Sequence, residues 1–179
     1  MTAAASSDDH ASEEAPVGER PLAIIDIDGV VADVRHRLHH LEGRKRWQRF
    51  FEAADEDGLH EEGYAVVERL RADHEIVYLT GRPVWLEDVT LAWLDANGLG
   101  GHRLEMRPDH DRRPAAQMKV DRLRRLAAGR TVGVVVDDDE RVLSAMAAAG
   151  YPTFHATWEK RAIQEQLALE SAQEDEGRT

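Results

Sequence analysis

Short apolar runs of strand length alternate with amphipathic segments along most of this chain of 179 residues. The runs are rich in β-branched residues and lie at 21–28, 74–83, 102–108, 131–139 and 151–157. Near-continuous hydrophobic strands separated by helical segments are typical of a parallel sheet that is covered by helices on both faces. The sequence therefore predicts an α/β fold, a doubly wound parallel sheet.

Three segments fall outside this alternation. Residues 1–20 are small, polar and acidic, and we expect a disordered tail. Residues 33–60, between the first strand and the first crossover helix, are longer than a usual connection and predict a small helical insert. Residues 158–179 are typical of an acidic C-terminal helix, so that the main domain is expected to cover 21–157.

The composition restricts the compartment and the partners. The chain has no cysteine, which excludes disulfides and thiolate metal sites and favours a reducing compartment. It has no apolar run of the ~18 residues needed to span a membrane, and its N-terminus does not resemble a secretory signal. We therefore expect a cytoplasmic protein without membrane contact. The net charge of −12 argues against a polyanionic partner, but residues 35–49 contain one acid, Glu42, among many basic residues.

Polar side chains follow the predicted strands where these end. In doubly wound sheets, ligands bind at the carboxyl ends of the strands. The groups found there are Asp26-Ile27-Asp28-Gly29, Thr80-Gly81-Arg82, Arg107-Pro108 and Asp137-Asp138-Asp139, with Lys119 on the helix after the third strand. Buried acids are costly unless a cation joins them, and oxygen-only ligation favours Mg²⁺. The sequence therefore predicts Mg²⁺ bound by Asp26, Asp28, Asp137 and Asp138, with Asp139 as a helix cap.

These residue types can together hydrolyse a phosphate ester. One carboxylate can act as a nucleophile and form an aspartyl-phosphate, and a second, two residues on, can act as general acid and then as general base. The Thr80 hydroxyl can donate to a phosphoryl oxygen, and Lys119 and Mg²⁺ can neutralise its charge. The pattern predicts a phosphatase.

The ordered set of motifs also resembles a known superfamily. D-x-D-G, L-T-G-R, a lysine and V-V-D-D, in this order over about 22–156, resemble the haloacid dehalogenase (HAD) superfamily of phosphohydrolases. The stretches "YLTGRP", "MRPDHDRRPAAQMK" and "VGVVVDDDERV" are similar to the 3′-phosphatase domain of phage polynucleotide kinase and its stand-alone bacterial relatives. The resemblance implies a Mg²⁺-dependent phosphomonoesterase with a Rossmann-like HAD fold.

The resemblance also implies roles for individual residues. It makes Asp26 the nucleophile, Asp28 the general acid/base, and Thr80 and Lys119 the remaining catalytic residues. It gives the direct bond to Mg²⁺ to Asp138, beside Asp137.

For the substrate, the resemblance implies contacts by Arg82 and, within the same motif, Gly81. Arg37 lies at the distance from the first motif where the phage enzyme has an arginine that touches substrate. We also expect substrate binding by Arg107.

Two departures from the family pattern matter, and one further motif is missing. Val30 stands where the first motif usually has Thr, so a hydroxyl contact is lost. Ala115 stands where the phage enzyme has an Asp four residues before the lysine, so Lys119 needs another partner, for which we suggest Asp137. No Walker-type phosphate-binding motif is present in this chain, which predicts a phosphatase without the kinase half.

Access to the site decides the expected substrate. The insert is too short to seal the site, and a basic rim would attract a phosphate backbone. The predicted rim is formed by Arg35, Arg37, Arg44, Lys45, Arg46, Arg49, Arg107, Arg112 and Arg113. We expect hydrolysis of 3′-phosphate ends of DNA or RNA. Two alternatives stay open: a 5′(3′)-nucleotidase that acts on mononucleotides, and a non-catalytic module that binds phosphorylated ends.

Other conspicuous side chains are interpreted as structural. His36, His39, His40 and His60 are expected on a solvated basic surface rather than at a zinc site. We expect Trp47, Phe50 and Phe51 to form the core of the insert rather than a base-stacking surface, and Trp85 and Trp93 to be core residues of their helix.

Overall fold

The structure is a computed structural model that describes residues 20–176. In the order of the chain, its strands are β1 (Leu22–Ile25), β2 (Ala32–Asp33), β3 (Gly58–Leu59), β4 (Glu75–Pro83), β5 (Arg103–Arg107), β6 (Val132–Asp137) and β7 (Thr153–His155). Its α-helices are α1 (Trp47–Glu52), α2 (Glu61–Leu70), α3 (Glu87–Ala96), α4 (Ala115–Leu126), α5 (Glu140–Ala148) and α6 (Trp158–Glu176). Five strands form a parallel sheet in the order β5-β4-β1-β6-β7, which confirms the predicted fold class.

Strand β1 lies at the centre of the sheet, and its side chains alternate between two hydrophobic cores. Ala23 and Ile25 belong to one core, and Leu22 and Ile24 belong to the other. All four residues are buried because successive side chains of a strand point to opposite faces and both faces are covered here.

The helices are divided between the two faces of the sheet. Helices α2, α3 and α6 contribute Val67, Leu94 and Trp158 to the core that contains Ile25. Helices α4 and α5 contribute Leu123 and Met146 to the opposite core. This arrangement leaves the carboxyl ends of β1, β4 and β6 side by side at one edge of the sheet.

The segment between β1 and α2 forms a small structure of its own. Strands β2 and β3 pair antiparallel, and the chain between them forms a 3₁₀ helix (Arg35–Leu41), α1, and a second 3₁₀ helix (Ala54–Glu56). Phe50 anchors α1 in the core that contains Ile25. The β2–β3 pairing closes this insert at its base and returns the chain to the strand ends.

The first strand is shorter than the sequence pattern suggests. Its apolar run includes Asp26 and Asp28, but β1 ends at Ile25 and the chain then turns at Gly29, where φ is +76°. The backbone N–H groups of Val30, Val31 and Ala32 all donate to the carbonyl of Ile27, which holds this turn.

The two ends of the chain are described in part. Apart from Arg20, the tail predicted for residues 1–20 lies outside the described residues, as do residues 177–179. In the described part of the chain, no helix has the length and apolar character that crossing a bilayer requires.

Candidate active site

The floor of the candidate site is a buried lysine held between two carboxylates. Asp26 follows β1, Asp137 ends β6, and Lys119 reaches them from α4. The Nζ atom of Lys119 lies 2.7 Å from Oδ2 of Asp26 and 2.7 Å from Oδ2 of Asp137. Both carboxylates raise the pKa of Lys119 more than its burial lowers it, so the ammonium group is charged. Asp137 is the partner that the sequence suggested for this lysine, and Asp26 is a second one.

Three acidic side chains converge beside this lysine. Asp26, Asp137 and Asp138 each offer one carboxylate oxygen, and these oxygens lie within 4.8 Å of one another. Burial, and then the charge of Asp137, raises the pKa of Asp138 to about 6. Burial also raises the pKa of Asp26 well above its usual value, against the opposing effect of Lys119.

This donor set fits a hard divalent cation. All three groups are carboxylates, the ligands that Mg²⁺ favours in proteins. Among the described residues, no hydrogen-bond donor engages the carboxylate of Asp138, whereas Asp26 and Asp137 both accept from Lys119. Burial and the neighbouring acids raise the pKa of Asp26 and Asp138 in spite of Lys119, so a further cation would stabilise the ionised cluster.

Asp28 turns away from this cluster towards two arginines. Its Oδ1 atom accepts hydrogen bonds from Nη2 of Arg37 at 2.8 Å and from Nε and Nη2 of Arg82 at 2.9 and 2.7 Å. Burial raises its pKa, but Arg82 and Arg37 outweigh that effect and the pKa is lowered. Of the four carboxylates that were predicted to converge, Asp26, Asp137 and Asp138 do so and Asp28 does not. The reason is that β1 ends at Ile25, so Asp26 and Asp28 do not share one face of a strand.

Arg37 and Arg82 are fully buried, and a residue that the sequence analysis missed holds them there. Oδ1 of Asp57 lies 2.6 Å from Nε of Arg37, and its Oδ2 lies 2.6 Å from Nη2 of both arginines. The indole N–H of Trp93 donates to the backbone carbonyl of Asp57 at 2.8 Å. Arg37 was expected on an exposed rim. This was wrong, because the β2–β3 pairing brings Asp57 back over the site and gives the guanidinium a buried partner.

Nothing local in the sequence distinguishes Asp57 from the acids around it. It is one of several acidic residues in the stretch 52–57, and the others are exposed. The only available signal was its position directly before the strand that closes the insert.

The predicted motif Thr80-Gly81-Arg82 lies between Asp28, which Arg82 contacts, and Arg107. Thr80 is buried, and its Oγ1 atom accepts a hydrogen bond from the backbone N–H of Arg82 at 3.1 Å. Nε of Arg107 donates to the carbonyl of Gly81 at 3.3 Å. The structure thus brings Thr80, Gly81 and Arg107 to one edge of the sheet, next to Asp28.

An open cleft of about 1340 Å³ lies above this floor. Its cationic wall includes Arg107, whose Nη1 atom donates to the backbone carbonyls of Asp111 and Arg113 at 3.2 and 2.9 Å. Partial burial lowers the pKa of Arg107. Among the described residues, no carboxylate pairs with Arg107, Arg112 or Lys45, all of which line the cleft. These cations are therefore available to an anionic ligand.

A family model for the polynucleotide kinase PNKP phosphatase domain matches residues 21–158, most of the chain. The chain belongs to this family. It is a phosphatase of the HAD type, and the resemblance carried by its four motifs is confirmed. No curated protein shows a sequence match to it.

Several solved structures share the fold of this PNKP-type phosphatase domain. Two chains from structures of the Pnkp1/Rnl/Hen1 complex, one described as an RNA repair complex, are 22% and 20% identical to it, each with a TM-score of 0.63. The matches cover 77% and 84% of this chain but 43% and 51% of those chains, so the domain spans about half their length. The haloacid dehalogenase-like hydrolase SP0104 from Streptococcus pneumoniae is 8% identical, with a TM-score of 0.56, over 76% of this chain and 84% of that one.

The rim of the phosphatase domain carries fewer free cations than the sequence suggested. Arg113 pairs with Asp111 and Asp121, and Arg35 pairs with Asp33, so local acids compensate these charges. Ion pairs with nearby acids therefore remove Arg35 and Arg113 from the cations of the predicted rim that are free to bind a ligand.

Three structural interpretations of single residues were wrong. Trp47 was expected in the core of the insert and is 49% exposed, whereas Phe50 is buried as expected. Trp85 was expected in the core and is 51% exposed, because it lies on a 3₁₀ helix (Val84–Leu86) at the mouth of the cleft, whereas Trp93 is buried as expected. His60 was expected on a solvated surface, but it is buried and pairs through Nε2 with Glu159 at the start of α6.

Proposed function

We propose that the domain is a Mg²⁺-dependent phosphomonoesterase that acts through an aspartyl-phosphate on Asp26, and that its substrates are the 3′-phosphate ends of nucleic acid. The observation that carries the choice of substrate is the open cleft above Asp26, whose wall presents cations without carboxylate partners. Such a wall suits a polymer of phosphates, and the match to the family of the polynucleotide kinase PNKP phosphatase domain supports it.

The three converging carboxylates would hold the metal ion. In the proposal, Asp26, Asp137 and Asp138 bind Mg²⁺, and Asp28 contributes no side-chain ligand. When bound, Mg²⁺ would supply positive charge that stabilises the transferring phosphoryl group.

In the first step, a carboxylate oxygen of Asp26 attacks phosphorus. The bond between phosphorus and the 3′ oxygen breaks as the bond to Asp26 forms, and the departing alkoxide takes a proton from the carboxyl group of Asp28. The ammonium group of Lys119 binds Oδ2 of Asp26 and so holds this carboxylate in place. It also adds positive charge next to the reacting phosphoryl group.

The two roles of Asp28 require its pKa to change during the cycle. In the free protein, Arg82 and Arg37 lower this pKa despite burial, so the group is ionised at neutral pH. A bound phosphate brings negative charge close to Asp28, which raises the pKa and favours the protonated form that the first step needs. After the alcohol has left, ionised Asp28 can take a proton from the attacking water, which releases phosphate and restores Asp26.

A substrate panel tests the proposal. Initial rates are measured with a 3′-phosphorylated oligonucleotide, with 5′- and 3′-mononucleotides and with an aryl phosphate, each in the presence of Mg²⁺ or a chelator. We expect the oligonucleotide to give the highest kcat/KM and the chelator to remove activity.

Each alternative has its own outcome in this panel. Faster hydrolysis of mononucleotides would replace the proposed substrate by a nucleotide. A wild-type protein that binds the 3′-phosphorylated oligonucleotide and turns over no phosphoester would be a binding module. Asp26→Asn provides the background rate.

A further inference from the structure

Two tryptophans that line the cleft are about half exposed. Trp47 is 49% exposed and Trp85 is 51% exposed, and both border the cleft that has Asp26 at its floor. Single exposed apolar residues are common on protein surfaces. Here, two of the largest side chains face the same concave surface, which is a feature of binding sites rather than of an incidental surface.

The aromatic side chains of α1 are divided between a structural role and an exposed one. Phe50 is only 5% exposed, and the guanidinium carbon of Arg37 lies 4.1 Å from the centre of its ring. Trp47 and Phe51 lie one turn apart on the same helix, with ring centres 5.9 Å apart and planes inclined by 28°. Phe50 thus anchors the helix, and burial in the insert does not account for the exposed face of Trp47.

This helix is tied directly to the candidate catalytic residues. Nη1 of Arg37 donates to the backbone carbonyl of Phe50 at 3.2 Å, while its Nη2 donates to Asp28. Helix α1, which carries Trp47, is therefore held at a defined position relative to the place where the terminal phosphate would react.

Cations accompany the aromatic rings. Nζ of Lys45 lies 5.7 Å from the centre of the Trp47 ring, and among the described residues Lys45 has no carboxylate partner. Proteins that bind single-stranded nucleic acid combine aromatic side chains, on which bases stack, with cations that follow the backbone. Trp47, Trp85 and Lys45, together with Arg112 on the same cleft, reproduce this combination.

We propose that Trp47 and Trp85 are base-stacking residues that bind unpaired nucleotides next to the 3′-phosphate. The inference rests on the proposed function for the identity of the polymer, and it adds the part of the substrate that is recognised. In this proposal, the cleft binds the unpaired bases of the strand whose 3′ end reacts at Asp26. Stacking tolerates any base, so the residues are expected to select for an unpaired end rather than for a sequence.

The first test measures binding without hydrolysis. An unphosphorylated single-stranded oligonucleotide is titrated into the protein while tryptophan fluorescence is followed. We expect quenching in the wild type and a smaller amplitude in Trp47→Phe and Trp85→Phe, because each removes one reporting indole from the cleft. The matched control is Phe154→Ala, which removes an aromatic side chain that is 45% exposed and lies outside this cleft.

The second test measures selectivity for bases. Rates are compared for a 3′-phosphorylated oligonucleotide and for the same oligonucleotide with abasic sites at its last two positions. The measured quantity is kcat/KM for the intact oligonucleotide divided by kcat/KM for the abasic one. We expect Trp47→Ala and Trp85→Ala to lower this ratio by about 5- to 150-fold, the range that corresponds to loss of one base stack. Trp47→Phe should retain most of the ratio, and Phe154→Ala all of it.

The outcomes separate this inference from the proposed function. Quenching without hydrolysis of the phosphorylated oligonucleotide would support the stacking residues and refute the 3′-phosphatase. Hydrolysis with an unchanged ratio in both alanine variants would refute the stacking residues and leave the phosphatase standing. If neither quenching nor hydrolysis occurs, both are wrong.

Discussion

A Cβ atom added to Gly29 would lie 2.9 Å from both Cγ and Oδ2 of Asp138. Gly29 also has a φ of +76°, in the left-handed region that glycine adopts at little cost. The glycine of the first motif therefore serves two purposes: it turns the chain after Asp28, and it leaves room for a carboxylate from the end of another strand.

Gly29→Ala is expected to displace the Asp138 carboxylate. Because Asp138 is proposed to bind the metal, the Mg²⁺ concentration for half-maximal activity should rise by about 10-fold or more, corresponding to at least ~1.4 kcal/mol. The backbone strain should also cost about 1–2 kcal/mol of stability. Gly101→Ala is the control, since Gly101 has a φ of +78° and no atom near its Cβ position. An equal Mg²⁺ requirement in the two variants would contradict the proposed role of Asp138.

Asp26→Asn should remove turnover without weakening the fold. Loss of the attacking carboxylate is expected to lower kcat by roughly 10⁴-fold or more, because the neutral amide is a poor nucleophile. Burial raises the pKa of Asp26, so the folded state binds its proton more tightly than the unfolded chain does, and this stability contribution declines as the pH rises above the unfolded pKa. At neutral pH, the buried negative charge of Asp26 therefore costs stability, and the neutral amide of Asn removes this cost. In a chelator at pH 7, the Tm of the variant should equal or exceed that of the wild type, and a clear drop in Tm would show that the charge is structurally required.

Lys119→Ala is expected to lower kcat by about 10²-fold or more, by comparison with the removal of a single electrostatic stabiliser. It also leaves Asp26 and Asp137 without their shared cation, so we expect a loss of several kcal/mol in stability in a chelator. Arg125→Ala, at an exposed position on the same helix, should change neither quantity. A loss of activity of 10-fold or less would assign Lys119 to structure alone.

Asp28→Asn should separate the two chemical steps. A phenolate leaves without a proton, whereas a 3′ alkoxide needs one, so the variant should still form the aspartyl-phosphate from an aryl phosphate. Its hydrolysis should then be slowed by about 10²- to 10⁴-fold. Rapid mixing should show a burst close to one equivalent of phenolate with the aryl substrate and no burst with the oligonucleotide. Steady turnover from the first cycle would be inconsistent with Asp28 as the general base.

Asp57→Asn tests the residue that holds the two buried arginines. Removing one partner of a buried ion-pair network costs about 3–5 kcal/mol, which denaturant unfolding can measure. Because Arg37 and Arg82 hold Asp28, kcat should also fall, and its dependence on pH should shift as Asp28 loses its fixed partners. Asp55→Asn, at an exposed position in the adjacent 3₁₀ helix, is the matched control. A stability loss with an unchanged pH profile would restrict Asp57 to a structural role.

Local patterns were sufficient for the central features of the phosphatase domain. Apolar runs that alternate with helical segments predicted the parallel sheet, because β1 and β6 are covered on both faces and so lack polar alternation. Asp26, Lys119, Asp137 and Asp138 were expected to lie together because each occupies a strand end or the following helix, and strand ends of a parallel sheet meet at one edge. The structure brings these four side chains together.

Local patterns failed where a side chain's surroundings come from distant parts of the chain. Arg37 was expected at the surface because an arginine in a basic, exposed stretch is normally solvated. Trp85 was expected in the core because a tryptophan on an amphipathic segment normally packs inward. Arg37 has its buried partner Asp57 twenty residues further along the chain, and Trp85 lines a cleft that distant segments form together.

The sequence by itself determined the order of the elements, the acids at the strand ends and the family, because these follow from periodicity and from motifs only a few residues long. Tertiary structure alone decided that Asp28 faces Arg37 and Arg82 while Asp138 faces Gly29. The physical reason is that burial and ion pairing depend on which distant groups share a volume, and Asp57 reaches the arginines only after the insert has closed and the sheet has formed.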